Sequence, residues 1–251
     1  MHRFYLHPGE CGGATLTLRD QEARHALQVL RLQRGERVVV LDGVGGHLIC
    51  EVRNPARHTV ELAVVQRESL PPLPYRLTLL QAIPKGRTFD TIVQKATELG
   101  ASRIVPLLSE RVVVRVENAQ AKSKVEHWLR TATEAIKQCG SAWLPRIDLP
   151  QTLPQFLARQ EHDDLSLVAS LQSGSAHPRI ALQAFHSQHG RWPKTVSVWI
   201  GPEGDFTPEE LEGIQASGAG PITLGNLVLR TDTAAVYCLS ILSYELQAEP
   251  G

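Results

Sequence analysis

The chain has 251 residues, 42% of them hydrophobic and 21% charged, with no net charge at pH 7; this is the profile of an ordinary globular protein with one large or two modest domains. No apolar run approaches the roughly 18 to 20 residues of a membrane-spanning helix, and the opening MHRFYLHPGE lacks the apolar centre of a signal peptide, so the expected compartment is the cytoplasm and no membrane partner is expected. Cys11, Cys50, Cys139 and Cys238 stand far apart with no CxxC pair, which argues against a disulfide framework or a zinc knuckle.

Charge is spread unevenly. Residues 1–75 carry 9 Lys/Arg against 8 Asp/Glu, residues 76–150 carry 12 against 7, and residues 151–251 carry 5 against 11. A polyanion would therefore be met by the middle of the chain with help from arginines of the first segment.

In chain order, residues 14–68 read as short strands (ATLTL, ERVVVLDG, GHLICEV, HTVELAVV) with one helical stretch from about Asp20 to Arg31, and a small β-barrel is the simplest closure. Gly43, Gly45 and Gly46 invite comparison with a dinucleotide loop, but Leu48 occupies the last required glycine and a strand follows, so a hairpin turn is expected. SLPPLPY, residues 69–75, can continue neither helix nor strand and marks a boundary. The domains expected are thus 1–70, a linker 71–75, and 76–251. Beyond the linker, RLTLLQAI and IVPLL read as strands around a helix whose face is Phe89, Ile92, Val93, Ala96 and Leu99. A long helix from about Glu117 to Cys139 follows. LSLVASL, TVSVWI and PITL are further apolar runs, and strands this continuously apolar imply a parallel sheet covered by helices, an α/β domain. The last helix, about Thr231 to Leu246, is apolar nearly all round and predicts a homodimer. His186 and His189 lack a third ligand nearby, so no metal is expected.

The most informative stretch is VSVWIGPEGDF, residues 196–206. An apolar run breaks at Gly201-Pro202, sets Glu203 between glycines, and re-enters a helix at Thr207, with Pro208 and Glu210 completing a capping box. In a parallel sheet, a strand ending in such a turn is where backbone groups approach a small ligand. A second turn at Leu224-Gly225 follows the next apolar run, and Arg230 stands at the mouth of the closing helix. Two such turns make an apolar, backbone-lined pocket.

These residues, with LGNLVLRTDTA, Lys85-Gly86, QKATELGASRIVPLLSER and EAIKQCGSAWLP, resemble the bacterial 16S rRNA (uridine-N3)-methyltransferase family of the SPOUT superfamily. The resemblance runs in order along essentially the whole chain, HRFYL and EARHALQVLRLQRGERVVVLDG matching the family's PUA-like β-barrel. It implies an S-adenosylmethionine site in a C-terminal trefoil knot, a dimer, and a uridine of 16S rRNA in the small ribosomal subunit as substrate. A SPOUT ribose 2′-O-methyltransferase and a non-catalytic assembly factor are the alternatives. Three departures stand out: Asp205 replaces a usual glycine; Leu227 replaces an arginine, with Asp232 for a glutamate; and Ser141 replaces an arginine.

On this resemblance the donor pocket is expected at Leu171, Ile200, Gly201, Pro202, Gly204, Leu224, Gly225 and Leu229. Arg230 is the candidate that stabilises the uridine anion through a carbonyl oxygen, and Glu203 the candidate base or sulfonium partner. Expected RNA contacts are Arg3, Arg24, Arg31, Lys85, Arg87, Lys95, Arg111 and Arg115.

Overall fold

A computed structural model describes residues 1–111, 118–170 and 175–247. The chain forms two compact units, Met1–Pro72 with Thr133–Leu144, and Leu73–Ala132 with Pro145–Gly251. One boundary falls inside the Pro-rich connector. The return of residues 133–144 to the first unit has no compositional mark.

The first unit contains β1 (His2–Tyr5), β2 (Thr15–Leu18), α1 (Asp20–Arg24), β3 (Arg37–Leu41), β4 (Gly46–Pro55) and β5 (Val60–Ser69). The strand order is β1-β3-β4-β5-β2, with β1 parallel to β3 and the other pairs antiparallel. Among the described residues no pairing joins β1 to β2. The ladder is therefore open, and what the five strands share is one core of alternating residues including Phe4, Leu16, Leu18, Val38, Val40, Cys50, Val52 and Leu62. The helix expected from Asp20 to Arg31 is regular only to Arg24 and continues as a π turn, His25–Val29. Positive φ angles at Asp20 (45°) and Arg31 (55°) bracket it. The β3–β4 connection is the expected hairpin, its turn held by Asp42 Oδ1, which accepts from the amides of Val44 (2.8 Å) and Gly46 (2.7 Å).

The second unit is α/β. Its elements are β6 (Arg76–Ala82), α2 (Thr88–Glu98), β7 (Arg103–Leu108), α3 (Asn118–Cys139, its end from Thr133 belonging to the first unit), β8 (Arg146–Ile147), β9 (Gln151–Thr152), α4 (Leu153–Leu157), β10 (Leu165–Ala169), α5 (Pro178–His189), β11 (Thr195–Ile200), α6 (Pro208–Ala216), β12 (Gly220–Ile222) and α7 (Thr231–Gln247). The sheet order is β12-β10-β11-β6-β7-β8, with β9 also on β7, and every pairing is parallel. One face carries Leu80, Ala82, Val105, Leu107 and Trp199 against Phe156 of α4 and Leu211 and Ile214 of α6. Period-two alternation turns Leu77, Leu79 and Gln81 to the other face, where α7 packs on β6, β11 and α2. On α2, Phe89, Ile92, Val93 and Ala96 are buried at helical spacing; each large side chain so buried stabilises the fold by about 1.5 to 3 kcal/mol. No helix among the described residues is long and apolar enough to cross a membrane.

Candidate active site

The first bend begins where β11 ends. A Cβ on Gly201 would lie 2.8 Å from Asp205 Oδ1 and 3.2 Å from both Asp205 Cα and the Phe206 amide nitrogen, so any side chain there crowds the bend. Asp205 itself has φ 60°. Its short side chain makes that left-handed conformation tolerable, Oδ1 accepting from the Phe206 amide at 2.8 Å. The helix restarts through the expected capping box: Thr207 Oγ1 accepts from the Glu210 amide (3.2 Å) and Glu210 Oε2 from the Thr207 amide (3.0 Å). Such a cap contributes about 1 kcal/mol. Glu210 Oε1 also accepts from the Glu110 amide at 2.8 Å, pinning the exit of β7.

The second bend follows β12. Gly225 adopts φ 109°, its amide donating to Thr223 Oγ1 at 3.2 Å. Apart from its chain neighbours, no atom of the described residues lies within 4 Å of where its Cβ would be, so backbone is bared there. The two bends share one cavity of about 510 Å³ at the carboxyl ends of β10, β11 and β12. Ile200, Gly201, Pro202, Glu203 and Gly204 line it together with Leu224, Gly225 and Leu229. Sequence reasoning missed Ala169 at the end of β10 and Ser170 just after it, Asp205 and Thr223 at the two bends, the loop residues Asn226, Leu227 and Val228, and Thr231 and Ala234 from α7. Proximity to a bend marks some of these, but Thr231 becomes visible only through its partners. Leu171 and Arg115 lie outside the described residues.

Charged groups gather around the first bend. Glu203 Oε1 accepts from the Lys85 amide at 3.1 Å, and the Arg111 guanidinium donates to the Gly204 carbonyl. Lys85 and Arg87 are exposed on either side of Gly86. Arg230 is exposed beside the cavity, its carbonyl accepting from the Ala234 amide at 2.8 Å in the first turn of α7. Besides Arg111, two of the expected RNA contacts are engaged within the chain. Arg3 donates to the carbonyls of Lys137 (3.2 Å) and Gln138 (3.0 Å), capping α3, and Lys95 pairs with Glu98 at 2.8 Å. Arg24 and Arg31 are exposed in the first unit. Among the described residues no three His, Cys, Asp or Glu are placed to hold a metal; His186 and His189 instead lie against Trp192 and Phe185.

A mostly apolar cleft with backbone polar groups, the carboxylates of Glu203 and Asp205 and a basic rim suits a small ligand beside a polyanion. The fold and site define an RNA methyltransferase: residues 71–243 match the RNA methyltransferase domain family and residues 18–65 the RNA methyltransferase PUA domain family. The chain is 33% identical over 249 residues to "Ribosomal RNA small subunit methyltransferase E" of Synechocystis, covering 98% of this chain and 78% of that one. It is 30% identical over 244 residues to the Bacillus subtilis protein of the same name, covering 94% and 93%. The crystal structure of a Neisseria gonorrhoeae ribosomal RNA small subunit methyltransferase E bound to S-adenosyl methionine matches with a TM-score of 0.84 at 26% identity over 98% of each chain. The chain belongs to the ribosomal RNA small subunit methyltransferase E family.

Proposed function

We propose that the protein transfers a methyl group from S-adenosylmethionine to N3 of a uridine in the 16S rRNA of the small ribosomal subunit. The observation that carries this is the meeting of two glycine bends, at Gly201 and Gly225, in one cleft at the carboxyl edge of a parallel sheet. The residues fit an adenosyl donor: bared backbone at Gly225 for its polar edge, Ile200, Leu224, Leu229 and Ala234 for its apolar faces, and Glu203 for its positive charge. When bound, the donor supplies an electrophilic methyl carbon on a sulfonium. The protein's share is orientation, worth about 7 to 11 kcal/mol in favourable cases, and handling of the N3 proton. Glu203 Oε1 is occupied by the Lys85 amide, which leaves Oε2 to take that proton or to face the sulfonium. The Arg230 guanidinium stabilises the uridine anion through a carbonyl oxygen. Lys85, Arg87 and Arg111 beside the cleft, and Arg24 and Arg31 in the first unit, are the RNA contacts this reading favours. The family resemblance adds a trefoil knot, rare among folds; the hydrogen bond from the Thr231 hydroxyl to the Gly201 carbonyl, which ties the start of α7 to the first bend, is in keeping with it.

Calorimetry with S-adenosylmethionine alone tests the site. Wild type binds, and Leu224→Arg, which fills the cleft with a charge, does not; equal binding by both excludes this cleft. Arg230→Ala tests the chemistry. It lowers the single-turnover methylation rate by about 10²- to 10³-fold with donor affinity unchanged, and a near-normal rate in a folded variant removes Arg230 from the mechanism.

A further inference from the structure

Beneath the cleft, three segments far apart in sequence are tied by one side-chain amide. Thr231, 5% exposed at the start of α7, donates its hydroxyl proton to the Gly201 carbonyl at 2.6 Å. That proton is its only one, so the same oxygen accepts from Gln81 Nε2 at 2.9 Å. Gln81, fully buried near the end of β6, also donates to the Ala82 carbonyl at 2.9 Å and lies 3.5 Å from the Ile200 carbonyl. The end of β6, the end of β11 and the first residue of α7 thus converge on the carbonyl of the first bend. We infer that Gln81 and Thr231 are positioning residues for the methyl donor, Thr231 from the cleft wall and Gln81 from the buried layer beneath it, together fixing the Gly201 bend.

The amide's other end supports this. Among the described residues, Gln81 Oε1 has no hydrogen-bond partner. A buried acceptor left unpaired is costly, and an apolar residue in this apolar strand would avoid that cost. The donor side is what the position uses, and it is spent on the bend. Gly201 is also confined by Asp205, whose Oδ1 lies 2.8 Å from its missing Cβ. A bend so held keeps its backbone groups in one place before the ligand arrives, which is preorganisation for binding rather than chemistry.

The inference rests on the assignment of the cleft to the methyl donor, and the test separates the two. Thr231→Val and Gln81→Leu are compared with Thr231→Ser by calorimetry with S-adenosylmethionine alone, by KM and kcat, and by melting temperature without donor. Thr231→Val and Gln81→Leu raise the donor Kd and KM about tenfold, the equivalent of one buried hydrogen bond. Their kcat at saturating donor stays within about twofold of wild type, and Thr231→Ser, which keeps the hydroxyl, restores wild-type values. Thr231→Ala makes the same cut without a branched side chain at the helix start, and reads the same way. Wild-type donor affinity in Thr231→Val and Gln81→Leu overturns the inference, as does a Thr231→Ser variant as impaired as Thr231→Val, or a loss of melting temperature with KM unchanged. If Leu224→Arg abolishes binding while these variants bind normally, only the positioning role falls. If Leu224→Arg also binds normally, the cleft assignment falls and the inference with it.

Discussion

Asp205 shows how much one backbone angle decides. Its φ of 60° is a conformation that favours glycine, while the hydrogen bond to Phe206 makes aspartate acceptable. The same side chain crowds the place of a Cβ at Gly201, so the two positions are coupled. Gly201→Ala destabilises the fold by about 1 to 3 kcal/mol, as overpacking does, measured by urea unfolding. Adding Asp205→Gly recovers part of that loss, because the 2.8 Å contact disappears while the one to the Phe206 nitrogen at 3.2 Å remains; strictly additive effects would break the coupling. At this scale the sequence was informative about what it spells locally. Gly201, Thr207, Glu210 and Gly225 were legible as bends and caps. Gln81 was not, since a lone polar residue in an apolar strand declares a partner without saying which.

At the scale of elements, long apolar segments were legible and short polar ones were not. The strands β6, β7, β10 and β11 and the helices α2, α3 and α7 carry enough periodicity to be read. By contrast β8 and β9 have two residues each, too few for any period. Ion pairs hold their neighbourhood: Asp148, with its side chain 3% exposed, pairs with Arg103 (2.6 Å), Arg146 (2.9 Å) and Arg159 (3.4 Å). Burial draws the Arg103 pKa down, but its hydrogen bonds to Glu161 and Asp148 outweigh it and leave it raised. A second charged clasp fixes the entry to β11. Asp164 accepts from Arg191 (2.8 and 2.9 Å) and from the amides of Lys194 (2.7 Å) and Thr195 (3.3 Å). The Arg191 guanidinium, aided by those amides, holds the Asp164 carboxyl below its usual value of 3.8. A depressed folded-state pKa means the clasp stabilises above pH 3.8 and is lost as pH falls further. Asp164→Asn is therefore less stable than wild type at pH 7, and the gap closes as pH drops below about 4. A gap constant with pH would contradict the ionic origin.

For the whole molecule, the parallel sheet followed from continuous apolar runs, yet its order did not, because β11 enters between β10 and β6 through contacts no local pattern encodes. The return of residues 133–144 to the first unit was equally silent. The closing helix is instructive in another way. It looked apolar all round, and its buried side holds Ala235, Cys238, Leu239, Leu242 and Leu246. Tyr237 and Tyr244, seven residues apart on one stripe, are 44% and 73% exposed, and Leu227 and Val228 in the preceding loop nearly 80%. Apolar surface left in water favours a second copy. Light scattering at micromolar concentration gives twice the 27.7 kDa chain mass, and Tyr237→Glu with Tyr244→Glu lowers it toward one; a monomeric wild type defeats the dimer.

The most direct test of the central claim supplies the purified protein with S-adenosylmethionine and unmodified small ribosomal subunits, then maps reverse-transcription stops along the 16S rRNA. A methyl on N3 blocks the pairing edge, so the account predicts a new stop at a single uridine that requires both donor and protein. Methyl incorporation without any stop, as a ribose methyl would give, or no incorporation at all, contradicts it.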